Sequence, residues 1–255
     1  MSGTHWGMGA MTGNAVGVHI KRWAGGARMV CCTALVGMAV TGAASTAHAV
    51  APMQLSYRVT HSTFGDIGTY TNTIEPSGSG ATTVQTQSHF AVKVLGVTIH
   101  REDAERTERW QGNRLISFAG ITRKGSGLIR VQGEAHGNSF VISSPLGTIT
   151  APATVHPANP WSANFLSSNT MMRPDSGRLE RVRVIGGEET ILPIDGGPVR
   201  ARKYEVEGDS RYTVWIDGQG VPVQFVADDG GGKVTFTLAS CTGCDIPLAQ
   251  RVGMK

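Results

Sequence analysis

The alternation of apolar and polar residues predicts that most of the chain forms β-strands. Between residues 54 and 61, Leu55, Tyr57 and Val59 fall on one side and polar residues on the other, which is typical of a half-buried strand. Similar runs, separated by glycine-rich turns, recur along the chain. They lie at residues 67–75, 82–97, 98–111, 114–122, 127–134, 139–143, 179–185, 189–194, 199–207, 212–217, 221–227 and 233–238.

No stretch has the periodicity of a long amphipathic helix. The best helical candidate is residues 160–169, where Pro160 suits a first turn and Trp161, Phe165 and Leu166 share a face. Strands in this number need to curl or close to hide their edges. We therefore expect an all-β fold, a single strongly curved antiparallel sheet or a barrel-like one, with the Trp161 segment across its open side. The proline-containing residues 144–160 are predicted to be a long connection.

The first 49 residues predict a cleavable signal peptide. Basic residues (Lys21, Arg22 and Arg28) precede an apolar run of small residues at 29–44, and residues 46–49 place alanine at −1 and −3 of a cleavage site before Val50. The true start is expected at Met8, Met11 or later. The mature chain, residues 50–255, is predicted to be one β-rich domain in the periplasm or medium, with a short cysteine-containing tail from about residue 240.

Charge argues against a nucleic-acid partner. Three of the 23 Lys and Arg residues and none of the 19 Asp and Glu residues lie in the signal peptide, which leaves 20 against 19 in the mature chain. Nucleic-acid binding requires a clustered basic face, and these charges are interspersed. The mature chain also contains no candidate transmembrane helix.

The most charged stretch, residues 98–111, has two interpretations. As a strand it places His100, Glu102, Glu108 and Trp110 on one face and Glu105 on the other. The favoured interpretation is a solvated strand whose charges discourage edge association. The alternative is acid/base chemistry by Glu102 paired with Glu108 or Glu105.

Four stretches resemble a known family. They are HFAVKVLGVTIHREDAERTERWQGNRLISF, PWSANFL, SGRLERVRV and RYTVWIDGQGVPVQF. They resemble an uncharacterised family of exported bacterial proteins, domain of unknown function 6134, over Tyr57 to Leu238. The most specific part is Glu108-x-Trp110-x-Gly112-x-x-Leu115, whereas residues 61–64 replace the tighter Asp/Asn-Gly turn of the pattern. The resemblance implies an envelope β-sheet domain and carries no established activity, so it transfers no catalytic residue.

Two small groups of residues suggest local chemistry. Cys241 and Cys244 are interpreted as a local disulfide, with redox exchange and metal binding as alternatives, because the pair follows a strand and forms only half a zinc site. Four arginines occur in two pairs, each pair two residues apart on one of two consecutive predicted strands. If these strands are neighbours in the sheet, the four guanidinium groups would share one face and could bind a carboxylate or phosphate group. They are Arg181, Arg183, Arg200 and Arg202. The favoured interpretation is an exposed face balanced by Glu180, Glu188 and Glu205, and the anion site is the alternative.

The leading functional hypothesis is non-catalytic binding of a lipid-like or apolar small molecule, or of an envelope partner. Large aromatic residues would line the concave side of the sheet. They are Trp110, Trp161, Phe165 and Trp215. The alternatives are an envelope hydrolase of unassigned chemistry and a structural or assembly protein with a flat apolar patch. No cofactor or metal is predicted, because the histidines are scattered and the phosphate-loop, zinc-hydrolase and nucleophile-elbow motifs do not occur.

Overall fold

The computed structural model describes residues 51–77, 80–194, 197–228 and 231–244. All of these residues belong to one compact unit, 46–255. The predicted signal peptide, residues 1–49, lies outside the described residues. Within them, no helix is both long and apolar enough to cross a lipid bilayer.

Thirteen strands form one antiparallel sheet, which confirms the predicted all-β fold. They are β1 (Met53–His61), β2 (Gly65–Pro76), β3 (Ala81–Val94), β4 (Val97–Gln111), β5 (Arg114–Lys124), β6 (Gly127–His136), β7 (Ser139–Ser144), β8 (Gly147–Pro152), β12 (Arg183–Ile194), β13 (Gly197–Glu207), β14 (Tyr212–Asp217), β15 (Pro222–Asp228) and β16 (Lys233–Thr242). A second sheet contains β9 (His156–Pro157), β10 (Thr170–Met172) and β11 (Leu179–Arg181). A single turn of 3-10 helix, Ala163–Ser167, lies between β9 and β10.

The large sheet is open, with β8 at one edge and β12 at the other. Its order is β12-β13-β14-β15-β16-β1-β2-β3-β4-β5-β6-β7-β8, so the last of the described strands pairs with the first. Residues 153–182, which we call the crossing segment, connect one edge strand to the other. This segment contains the second sheet and the 3-10 helix.

The sheet is strongly curved around its inner face, which carries Leu55, Tyr57 and Val59. Phe90 on β3 and Phe236 on β16 are three strand spacings apart, about 14 Å in a flat sheet. Their ring centroids are nevertheless 6.0 Å apart. Inner-face side chains of distant strands therefore form one shared core.

The crossing segment packs against the inner face and the turns beside it. The Ala163 amide donates to the Gly220 carbonyl at 3.0 Å, and Asn113, in the β4–β5 turn, donates to Ser167 Oγ at 3.1 Å. Phe165 is buried. The helical part is shorter than the predicted residues 160–169.

The predicted long connection at residues 144–160 is wrong in part, because it contains β8 and β9. Pro152 ends β8, and an edge strand tolerates proline because its outward amide needs no partner in the sheet. Prolines alone therefore did not exclude a strand here.

The β3–β4 hairpin extends past its neighbours. Residues 92–100 pair only with each other, because pairing with β2 stops at Phe90 and the contacts of β4 with the β5 side begin at Arg101, whose carbonyl accepts from the Gly125 amide. At the tip, Leu95 is fully exposed and has φ +51°, in the left-handed region that disfavours β-carbons. This turn lies at Leu95–Gly96, two residues before the predicted boundary.

Leu95→Asn is expected to raise the free energy of unfolding by about 0.5–1 kcal/mol, because asparagine tolerates this backbone better and no buried surface is lost. Thermal unfolding measures the change. Leu146, an exposed leucine in the β7–β8 turn without positive φ, provides the matched control Leu146→Asn. Equal effects of the two substitutions would contradict strain at residue 95.

Candidate functional site

A buried carboxylate on β4 is the centre of a polar network on the inner face. Glu108 has no exposed surface. Its Oε2 accepts hydrogen bonds from the indole nitrogens of Trp110, at 2.9 Å, and Trp161, at 3.1 Å. Its Oε1 accepts from Asn159 Nδ2 at 2.8 Å. Trp110 follows two residues later on the same strand face, whereas Asn159 and Trp161 come from the crossing segment.

Asn159 joins the crossing segment to three strands. Its Oδ1 accepts from the Tyr70 hydroxyl of β2 at 2.6 Å, and its Nδ2 also donates to Thr86 Oγ1 of β3 at 3.0 Å. Thr86 Oγ1 in turn donates to Asn72 Oδ1 at 2.8 Å. Since each of these residues is buried, the hydrogen bonds replace water that the interior excludes.

Burial controls protonation in this network. Burial raises the pKa of Glu108 to about 7, although the hydrogen bonds from Asn159, Trp110 and Trp161 and the charge of Arg106 lower it. Burial likewise raises the pKa of Tyr70 to about 12. Next to the network, the ring of His156 lies 4.7 Å from that of Trp110, and burial lowers the pKa of His156 to about 4.

A pocket of about 250 Å³ borders this network, between the inner face and the crossing segment. One wall is aromatic and consists of Tyr70, Phe90, Phe225 and Phe236. The Phe225 and Phe236 rings stack at 4.1 Å, and Tyr70 lies edge-on to both. The crossing segment supplies the opposite wall, which includes Pro160, Met171 and Pro174. We call this cavity the aromatic pocket.

Charged side chains also line the aromatic pocket, namely Glu102, Arg106, Arg173, Asp175, Glu180 and Asp228. Arg173 donates to Asp175 through two nitrogens, at 3.1 and 3.3 Å, and lies 3.7 Å from Glu180. Glu102 lies 3.6 Å from Lys124, and Asp228 is opposite Lys233 in the sheet. Arg106 forms no ion pair within 4 Å in the described part of the chain.

Residues 57–239 match the family model described as a domain of unknown function, DUF6134. The chain belongs to the DUF6134 family. A crystal structure of a β-barrel-like protein of domain of unknown function DUF1849 from Brucella abortus is similar in fold, with a TM-score of 0.59 and 12% identity, covering 78% of this chain and 100% of that one. No curated protein matches the chain significantly.

The aromatic residues predicted to line a ligand site lie elsewhere in this DUF6134 chain. Trp110 and Phe165 are buried in the core, and Trp161 is half-buried with its indole bound to Glu108. Trp215 lies on the outer face, because Val214 and Ile216 point inward. None of the four lines the aromatic pocket. The indoles of Trp110 and Trp161 both donate to Glu108 because a buried indole N–H requires a hydrogen-bond acceptor.

The four predicted anion-binding arginines do not converge. Arg181 belongs to the small sheet, whereas Arg183 pairs with Glu207 at one end of β12. Arg200 forms an ion pair with Glu189, and its register partner Ile191 is eight residues along β12 from Arg183, or about 26 Å. Arg202 is opposite Glu189. The alternative of one shared anion site is therefore wrong, because the register places Arg183 far from Arg200 and each is paired with a glutamate.

Cys241 and Cys244 form a disulfide in the structure, with their Cα atoms 5.8 Å apart. Cys241 lies within β16, opposite Leu55, so the cysteine pair is attached to the sheet rather than to a separate tail. Among the described residues, no group of three or more His, Cys, Asp or Glu side chains could hold a metal ion.

The structure separates the carboxylates considered for acid/base chemistry. Glu105 is exposed on the outer face and pairs with Arg123 at 3.2 Å. Glu102 lines the aromatic pocket, and Glu108 is enclosed by its three donors. Because Glu108 has no exposed surface, it does not reach a substrate in the pocket. The arrangement therefore gives no support to a hydrolase.

The sequence patterns drew attention to Glu108 and Trp110. They did not indicate that Tyr70, Thr86 and Asn159 belong to the same site. The available signal was a polar residue at an inward position of a strand, as at Thr86 between Val84 and Val92. Such a signal is weak, because an inward threonine or tyrosine is common in a half-solvated sheet.

Proposed function

We propose that this protein is an exported, non-catalytic binding protein that holds a lipid-like or apolar small molecule in the aromatic pocket. Residues 1–49, with their basic, apolar and small-residue regions, support export. The site proposed is the wall of Tyr70, Phe90, Phe225 and Phe236, not the tryptophans expected from the sequence.

The aromatic wall is the observation that carries the proposal. A concave, mostly apolar site with a few placed polar groups is the usual form of a small-molecule site. The cavity, at about 250 Å³, is slightly smaller than the pockets that bind drug-sized ligands, which commonly have volumes of about 300–1,000 Å³. The ligand is therefore expected to be small or to extend partly beyond the pocket.

Filling the pocket tests the proposal. Ala227 lines the pocket, and Ala227→Phe is expected to weaken binding of the neutral fluorescent probe N-phenyl-1-naphthylamine at least tenfold by occupying its space. Fluorescence titration of residues 50–255 measures affinity, and circular dichroism checks folding. Ala119, exposed on β5, provides the control Ala119→Phe, which should bind like the unmodified protein. Equal binding by both variants, or no saturable binding by the unmodified protein, would contradict the proposal.

A second candidate, binding of an envelope partner, is favoured by the β3–β4 hairpin tip. Val94, Leu95, Val97 and Ile99 are exposed there. A photo-cross-linking amino acid at position 95, compared with one at position 146, tests this in cells. A discrete product of one identified envelope protein at 95 alone supports a partner at this tip, and indistinguishable patterns at the two positions count against it.

A further inference from the structure

We infer that the ligand of the aromatic pocket carries one oxyanion, a carboxylate or a phosphate ester, and that Arg106 binds it beside Tyr70. This inference rests on the proposed function. It assigns a ligand class, an amphipathic anion, to a pocket that the aromatic wall alone would assign to any apolar molecule.

Arg106 is a cation without a matching anion. Its side chain lines the pocket on the inner face of β4, two residues before Glu108. Its Nε–H is buried and has no hydrogen-bond partner, and the described residues place no carboxylate within 4 Å of its guanidinium. The guanidinium also interacts with the Tyr70 hydroxyl, but a buried N–H is usually paired, so the unpartnered Nε–H of Arg106 indicates a missing acceptor.

The nearest carboxylates are already committed to other donors. Glu108 accepts from Asn159 and both indoles, and Asp175 accepts from Arg173 and Ser176. Arg106 lowers the pKa of both groups through its charge, although it lies beyond ion-pair distance from either. Neither carboxylate therefore neutralises Arg106 directly.

The remaining carboxylates of the pocket also have basic or hydrogen-bonding neighbours. Glu180 accepts from the amide and hydroxyl of Ser210 and lies near Arg173, and Glu102 lies near Lys124. Asp228 is opposite Lys233. Among the described residues that line the pocket, Arg106 is therefore the single cation without an ion pair, which matches a ligand with one anionic group. A planar guanidinium suits a carboxylate or phosphate because its donors match two oxygens.

The aromatic wall would hold the apolar part of such a ligand. Tyr70 is close enough to Arg106 for the guanidinium to lower its pKa, and Tyr70 also contacts Phe225 and Phe236. The headgroup position and the apolar wall are therefore adjacent. A cavity of about 250 Å³ equals roughly eight water molecules, which suits a medium-chain acyl group or one aromatic ring system.

Three ligands that share one chain test the inference: decanoate, decyl phosphate and decanol. Calorimetric titration of the unmodified protein is expected to give at least tenfold tighter binding of one or both anions than of decanol. The ratio of decanoate to decyl phosphate separates the two headgroup sources. Arg106→Gln should reduce anion affinity to that of decanol and leave decanol binding unchanged. Arg109→Gln, on the outward face of the same strand, should bind like the unmodified protein.

The outcomes separate this inference from the proposed function. Equal affinity of all three ligands for the unmodified protein would overturn the anion inference and leave the apolar pocket standing. No saturable binding of any ligand would overturn the proposed function. If Arg106→Gln does not fold, Arg106→Lys keeps the charge but loses the planar fork. Its anion affinity should then fall below that of the unmodified protein but stay above its own decanol affinity, and unchanged anion binding would count against a role for the guanidinium.

Discussion

Asn159→Ala is expected to lower the free energy of unfolding by about 3 kcal/mol. The substitution removes hydrogen bonds to Tyr70, Thr86 and Glu108 at once. A buried group left without a partner costs about 1–3 kcal/mol, and members of a network are coupled. The crossing segment also loses its attachment to β2, β3 and β4.

Urea unfolding followed by tryptophan fluorescence measures this change, because Trp110 and Trp161 both report on the network. Asn164 is an exposed asparagine in the same crossing segment, so Asn164→Ala is the control and should change stability by less than about 0.5 kcal/mol. Limited proteolysis within residues 153–182 should increase for Asn159→Ala only. Equal stability of the two variants would show that the network does not hold this segment.

Local pattern was sufficient to predict most strands of the large sheet and several of their turns, but not β8, β9 or β10. The alternation in residues 54–61 corresponds to β1, with Leu55, Tyr57 and Val59 inward. The turn at Gly112 and Asn113 lies between β4 and β5, in the gap between the predicted strands 98–111 and 114–122. These features depend on backbone sterics and on a two-residue period, both of which are visible within a few residues.

The burial of Glu108 was not visible in the same way. The sequence correctly placed Glu108 and Trp110 on one face of β4, but the interpretation of that face as solvated is wrong at Glu108. What buries this carboxylate is Asn159 and Trp161, about fifty residues further along the chain. A charged residue can be enclosed only if distant donors satisfy it, and strand periodicity contains no information about those donors.

The aromatic pocket depends on a pairing that has no local signal. Phe225 and Phe236 approach Tyr70 because β16 pairs with β1, which joins the two ends of the described chain in one sheet. Without that pairing, these residues are three unremarkable aromatic positions in separate strands. The sequence therefore predicted a concave β-sheet with aromatic residues available, while strand order decided which of them line the cavity.

Glu108 and His156 are expected to change the free energy of unfolding with pH in opposite directions. Between pH 4.5 and 6.5 the two changes should largely cancel. The ordinary pKa of the glutamate, 4.5, is raised to about 7 on folding, so its contribution is fully present below pH 4.5 and is lost as the pH rises through 7. The ordinary pKa of the histidine, 6.5, is lowered to about 4 on folding, so its contribution is present above pH 6.5 and is lost as the pH falls through 4. Each difference corresponds to about 3 kcal/mol.

Single substitutions should reveal the two slopes. With Glu108→Gln only the histidine remains, and the free energy of unfolding should fall as the pH is lowered from 6.5 to 4.5. With His156→Gln only the glutamate remains, and the free energy of unfolding should rise as the pH is lowered from 7.5 to 5. Urea unfolding across pH 4.5–8 measures both, and subtracting the profile of the unmodified protein removes the contribution of surface carboxylates shared by all variants. For the double variant, the difference from the unmodified protein in the free energy of unfolding should change little between pH 4.5 and 6.5. Slopes of the same sign in both single variants would show that these two buried groups do not titrate as their surroundings indicate.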